Sequence, residues 1–109
     1  MIPLPICIVI KSIPVKIIYC DKMSEVDEHG NEKLWGRADY RNSVIRVYRG
    51  KRPDEAVWQT LWHEIMHFLF LCHGRDITDE IEEQLIDYVS IGMNGVMIDN
   101  GFTMVGGKK

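Results

Sequence analysis

The sequence predicts an α+β domain in which a short, mainly antiparallel sheet is followed by two helices. Three observations carry that expectation. The first half of the chain holds short β-branched runs separated by turn residues, and the second half changes to long apolar-rich segments framed by helix start and stop residues. A length of 109 residues with 46% apolar content suits one globular domain spanning 1–109.

From Ile6 to Ile10 and from Val15 to Tyr19 the residues are mostly β-branched or aromatic, with Lys11, Ser12 and Pro14 between them. That pattern reads as a strand pair with a tight connection. Asp21 to Lys33 is polar, lacks periodicity and contains Gly30-Asn31, so it reads as a loop. Leu34 to Arg41 is a third strand carrying Gly36, Asn42-Ser43 is a turn, and the alternation from Val44 to Arg49 gives a fourth strand ending at Gly50.

Pro53, Asp54 and Glu55 then form a helix start, with proline suited to the first turn and acids facing the positive end of the dipole. The helix runs to Cys72, with Gly74 placed to stop it. Its apolar residues leave almost no polar face, as in a helix buried on most sides. A second helix starts near Asp79 and stops at Asn100-Gly101. Its expected packing stripe is Ile81, Leu85, Ile86, Val89, Met93 and Val96, weakened by Gly92 and Gly95. The tail from 102 to 109 reads as frayed.

The formal net charge of −3 gives no electrostatic reason to expect a nucleic-acid partner. Arg46, Arg49, Lys51 and Arg52 read as a solvated strand end and loop. Cys7, Cys20 and Cys72 form no CxxC pair, and their odd number argues against a disulfide scaffold. They are expected to be reduced core thiols in a cytoplasmic protein. Pro3, Pro5, Pro14, Lys11 and Lys16 interrupt the apolar start of the chain, so it reads as strands, and no membrane partner is expected.

One motif carries chemistry. His63-Glu64-Ile65-Met66-His67 is an HExxH in the middle of the first predicted helix. Positions i and i+4 lie on one helix face, so both imidazoles can reach a single Zn²⁺ ion. Glu64 projects beside them, where it can take the proton of a zinc-activated water and pass it to a leaving amine. A catalytic zinc needs a third protein ligand and one open position. Glu82 ranks first, because it falls on the stripe expected to pack against the first helix, where an unpaired acid is costly. Glu83, its neighbour, points about 100° away and ranks second. His73 ranks third: it has the HExxHxxGxxH spacing of metzincins, but Phe70 stands where those proteins need glycine, so the helix runs on.

Leu34-Trp35-Gly36-Arg37-Ala38-Asp39-Tyr40, Val44-Ile45-Arg46-Val47, Leu61-Trp62-His63-Glu64-Ile65-Met66-His67-Phe68, Ile81-Glu82-Glu83 and Asp99-Asn100 together give a resemblance. The chain resembles the ImmA/IrrE-like metallopeptidases, minimal gluzincins related to small phage and mobile-element proteins. The resemblance implies a small zincin-like domain, a sheet packed on the active-site helix and a second helix carrying the glutamate ligand. Family spacing places that ligand three residues before a small or apolar position, which matches Glu82 before Leu85. In thermolysin-type zincins a Glu-x-x-x-Asp spacing, here Glu83 to Asp87, supplies the ligand and an acid that orients a histidine. Two departures stand out: the family's Ala-Asn-x-Phe-Ala run is replaced by Leu85-Ile86-Asp87-Tyr88-Val89, and the chain is shorter than typical members.

The implied activity is a zinc-dependent peptidase-like hydrolase acting on a peptide or protein, with a regulatory protein as the analogous substrate. The alternative is a non-catalytic zinc-binding or protein-interaction domain of a phage or mobile-element system. Glu64 speaks against a purely structural zinc, which takes four protein ligands and no base. Among assisting groups, Val44 to Arg49 is expected to line the cleft and pair with an extended peptide, and Tyr48 is a candidate oxyanion donor that alternation more readily places in the core or rim. Asp87 is a candidate to orient a histidine. His29 reads as solvated, and Trp35, Trp58 and Trp62 read as core.

Overall fold

A computed structural model describes residues 3–27 and 34–101. The expected α+β architecture is present as a mixed four-stranded sheet and two helices. The strands are β1 (Cys7–Ile10), β2 (Ile13–Cys20), β3 (Gly36–Asp39) and β4 (Val44–Tyr48), in the spatial order β1-β2-β4-β3. β1 with β2 and β3 with β4 are antiparallel, whereas β2 and β4 run parallel in the middle. Between β2 and β4 the chain makes a 3₁₀ turn at Met23–Glu25 and lays down β3, so β4 returns in the direction of β2.

Burial alternates along the strands as a one-faced sheet requires. Ile8, Ile10, Val15, Ile17, Ile45 and Val47 point into the core, while Cys7, Val9 and Lys16 face outward. The inward set packs on Val57, Trp58, Leu61, Ile65 and Phe68 of helix α1 (Asp54–Cys72). Pro53 caps α1 with φ −65, and Gly74, with φ 77, turns the chain away beyond His73. Helix α2 (Glu80–Asn100) begins where the Asp79 side chain accepts the Glu82 N–H at 3.1 Å, and it ends at Gly101 with φ 66. α1 lies between β3 and β4 on one side and α2 on the other.

The phase of α2 differs from the sequence expectation. Its buried residues are Ile86, Ser90, Asn94 and Met97, whereas Ile81, Leu85 and Val89 are 69%, 57% and 49% exposed. Of the expected stripe, Ile86 alone is buried; Met93 and Val96 face outward too. Polar groups on the inward face find partners at short range: Ser90 Oγ donates to Ile86 O at 2.7 Å, and Asn94 Nδ2 donates to Glu55 O of α1 at 3.3 Å.

Two other expectations are corrected. Cys7 is exposed, so only Cys20 is a fully buried thiol. Trp35 is 55% exposed, unlike the buried Trp58 and Trp62. His29 and the tail from 102 lie outside the described residues. Among those described, no helix is long and apolar enough to cross a membrane.

The β1–β2 connection consists of Lys11 and Ser12 alone, with φ of 50 and 69. Two consecutive positive φ values define a type I′ turn, which favours Asn-Gly. Replacing the pair by Lys11→Asn and Ser12→Gly is expected to stabilise the fold by about 1 kcal/mol, raising the midpoint by about 4–8 °C in thermal unfolding followed by circular dichroism.

Candidate metal centre

The seam between α1 and α2 gathers the chemistry-bearing side chains. Successive turns of α1 present His63 and His67, and α2 brings Glu83 to both. His63 Nε2 and His67 Nε2 are 3.2 Å apart, and Glu83 Oε1 lies 3.3 Å from the first and 3.1 Å from the second. Two ligands of a tetrahedral zinc, each at about 2.0–2.1 Å from the ion, are separated by about 3.3 Å. The two nitrogens and one oxygen therefore have the chemistry and mutual spacing of a zinc-binding set.

Asp87, one turn beyond Glu83, stands 2.7 Å from His63 Nδ1. That contact places the ring proton on Nδ1 and leaves the Nε2 lone pair turned to the seam, the tautomer a metal requires. The sequence reading anticipated this role for Asp87.

The first-ranked third ligand is elsewhere. Glu82 turns to the guanidinium of Arg75, beside an apolar groove that includes Met66 and Phe70. The inward phase of α2 explains the displacement: Glu83 sits three positions before buried Ile86 and seven before buried Ser90, whereas Glu82 is in step with exposed Val89. Thus Glu83 replaces Glu82 in the cluster. His73 is exposed past the end of α1, with its ring 3.2 Å from Lys11 Nζ. The continuation of α1 through Phe70 carries it away from the other imidazoles.

Glu64 is 8% exposed and projects to the opposite side of the histidine row, under β3. A Cβ at Gly36 would stand 2.7 Å from Glu64 Cγ and 2.9 Å from Glu64 Oε2, so the strand passes directly over the carboxylate only because residue 36 is glycine. Burial pushes the Glu64 carboxyl up to about 8, and the charge of Glu83 adds to the rise. The Ala38 main-chain hydrogen bond and Arg37 pull in the other direction.

Two cavities, of about 380 and 960 Å³, meet at Gly36, His63 and Glu64. The smaller extends to Trp35, Arg52, Gln59 and Thr60. The larger extends past His67 to Tyr40, Asn42 and Thr78. Together they form a cleft under β3 with Glu64 at its middle. β3, the edge strand, lines this cleft, while β4, expected there from sequence, is interior. Tyr48 lines neither cavity. Its ring lies against Gly50 and 5.7 Å from the Arg52 guanidinium carbon. Arg52, read as part of a solvated loop, is a wall of the smaller cavity. The glycine inside the third strand pattern was a usable signal of close backbone approach. Nothing local in the sequence distinguished Arg52 or Tyr40.

In comparisons with known proteins, no family model, no curated protein and no solved structure matches the chain.

Metal analysis after zinc loading is expected to separate the two neighbouring glutamates. Glu83→Ala should lose stoichiometric zinc and Glu82→Ala should keep it, while Asp87→Ala should weaken binding by about 10–100-fold. For the metal-free protein, the raised Glu64 carboxyl sets a pH dependence. The folded chain keeps a proton that the unfolded chain releases from about pH 4.5, so this contribution is full below that pH and is lost as pH rises through about 8. Urea unfolding of the metal-free protein should therefore show stability falling across that window. Glu64→Gln should flatten the slope and exceed wild type in stability above about pH 8.

Proposed function

We propose that the chain is a zinc-dependent, peptidase-like hydrolase of the zincin type, in which His63, His67 and Glu83 hold the metal and Glu64 moves the proton. The observation that carries this reading is the triangle of donor atoms, 3.1–3.3 Å on each side, with a buried carboxylate next in sequence to one of them and a cleft open beside both. The resemblance to ImmA/IrrE-like gluzincins points the same way, with Glu83 in the place first given to Glu82.

When bound, zinc supplies Lewis acidity that lowers the pKa of water and polarises a carbonyl. The remaining work falls to the chain. Glu64 accepts the proton of the attacking water at its carboxylate and delivers it to the departing amine. Its protonated form is favoured by burial and its charged form by the Ala38 N–H and Arg37, so both halves of the transfer have a partner. Asp87 holds His63 in one tautomer throughout.

The open edge of β3 fits an extended peptide. Tyr48 N–H donates to Trp35 O at 2.7 Å, which puts the main-chain groups of Trp35 and Arg37 on the β4 side. Gly36 and Ala38 turn theirs toward the cleft; the Ala38 N–H is taken by Glu64, and the Gly36 N–H and the two carbonyls are placed where a substrate strand can add to the sheet and lie across Glu64. An elongated cleft on both sides of the base suits a polymer passing through better than a small molecule held in a closed pocket.

Incubating zinc-loaded protein with a defined peptide mixture and reading the products by mass spectrometry tests the proposal. Wild type is expected to cut, and Glu64→Gln should retain zinc but lose about 10²–10⁴-fold in rate. A Glu64→Gln protein that cleaves as fast as wild type overturns the assignment, and zinc binding without any cleavage leaves the non-catalytic alternative.

A further inference from the structure

The smaller lobe of the cleft has a cation at its wall with no carboxylate to match it. Among the described residues, the arginines Arg37, Arg49 and Arg75 pair with Asp27, Asp54 and Glu82. Arg52 pairs with none. Its guanidinium is held by neutral acceptors: Nη1 donates to Tyr48 O at 2.7 Å, and Nη2 donates to Ala56 O at 2.9 Å and Thr60 Oγ1 at 2.7 Å. Its carbon lies 4.1 Å from the centre of the Trp35 ring. The plane is thus fixed from one side by main chain and from its face by an indole. Nε–H and one Nη1 hydrogen take no part in those bonds. Burial lowers the Arg52 pKa, as expected of a charge partly removed from water.

The location of this group is specific. Thr60 precedes His63 by three residues, so the side chain on which the guanidinium is anchored lies about one helical turn, ~5 Å along α1, from the nearer candidate metal ligand. A carboxylate on a residue flanking the cleaved bond has that reach. Thr60 Oγ1 accepts from Arg52 and so has its own hydrogen to give, and the Gln59 amide lines the same lobe. Asp87 also lines it, but its carboxylate is engaged at His63 Nδ1, at the other end. Like-charge repulsion from Asp87 leaves an incoming anion one favourable position, at the free Nε–H and Nη1–H edge of Arg52 beside Trp35.

We infer that the Trp35–Arg52 lobe is a subsite for a carboxylate of the substrate next to the scissile bond, with Arg52 as its specificity-determining residue. This deepens the hydrolase reading above and rests on it for the cleavage arm only, since binding can be measured without turnover. The carboxylate comes either from an Asp or Glu side chain or from a free C-terminus. Both present the planar, two-oxygen anion that a guanidinium fork accepts.

The test uses the zinc-loaded full chain and peptides that differ only by Glu or Gln on each side of a cleaved bond. Each peptide is made with an amidated and with a free C-terminus. Wild type is expected to prefer the carboxylate form by about 10–100-fold in kcat/KM. A preference kept in amidated peptides identifies the side chain as the source, and one seen only with a free C-terminus identifies the chain end. Arg52→Gln should bring the ratio close to one, and Arg52→Lys should restore part of it. If Arg52 is only a clip between the β4–α1 loop and α1, these variants lower the unfolding midpoint and leave the ratio unchanged, which overturns the inference.

A second arm uses zinc-loaded Glu64→Gln, in which the Glu and Gln peptides are bound but not turned over. Quenching of the exposed Trp35, checked against Trp35→Phe, reports occupancy. Tighter binding of the Glu peptide that vanishes with Arg52→Gln supports the subsite even if wild type cleaves nothing, so the two readings fail separately. Equal binding of both peptides, or cleavage indifferent to them, rejects it.

Discussion

α1 has to satisfy two demands that conflict chemically. It is the central slab of the fold, with the sheet on one side and α2 on the other, and it also carries two imidazoles and a carboxylate in its middle turns. Polar groups at such a place cost stability unless they are paired. The conflict is resolved by phase. Trp58, Leu61, Ile65 and Phe68 form one stripe against the sheet, whereas His63 and His67 look out along the α2 seam and Glu64 looks under β3. Most other features of the structure follow from accommodating those three side chains.

The inward face of α2 is the clearest example. A helix packing against an apolar neighbour normally turns its own apolar stripe inward. Here the neighbour offers histidines, so α2 answers with Glu83, Asp87, Ser90 and Asn94 beside Ile86 and Met97, and most of its large apolar residues face out. That reversal is why sequence periodicity gave the existence and ends of α2 correctly but rotated it by one residue, about 100°, and with it the choice between Glu82 and Glu83. The helix boundaries were legible because Pro53, Gly74, Asp79 and Gly101 act locally. Which strand forms the sheet edge was not, since strand order depends on a parallel pairing of β2 with β4 that no local pattern records. The histidine pair and Glu64 were readable directly, because the spacing within one helix fixes their relation. Arg52 was hidden in a basic loop whose meaning comes only from what it lies beside.

The cluster also links elements that are otherwise joined by modest forces. α2 meets α1 through a seam with few large apolar side chains on its own part, and it is tied there by single hydrogen bonds such as Asn94 to Glu55 O. A cation shared by His63, His67 and Glu83 would add a cross-link between the helices, so metal binding and the docking of α2 are thermodynamically coupled. The absence of a charge match at Arg52 and the raised carboxyl of Glu64 belong to the same pattern. The two groups line one cleft, while the core between the sheet and α1 is built from apolar side chains.

The placement of β3 has a mechanical consequence. It forms the roof of the cleft, yet among the described residues its only strand neighbour is β4, and it meets Glu64 through Gly36, which has no side chain, and the Ala38 N–H. Lifting this strand would break its ladder with β4, its packing on α1 and the Ala38 hydrogen bond to Glu64, while the buried residues of the sheet lie mainly on β1, β2 and β4. Movement at the roof would therefore leave most of the sheet core in place. A roof of this kind over a floor built on α1 would let a long ligand enter the cleft sideways without being threaded.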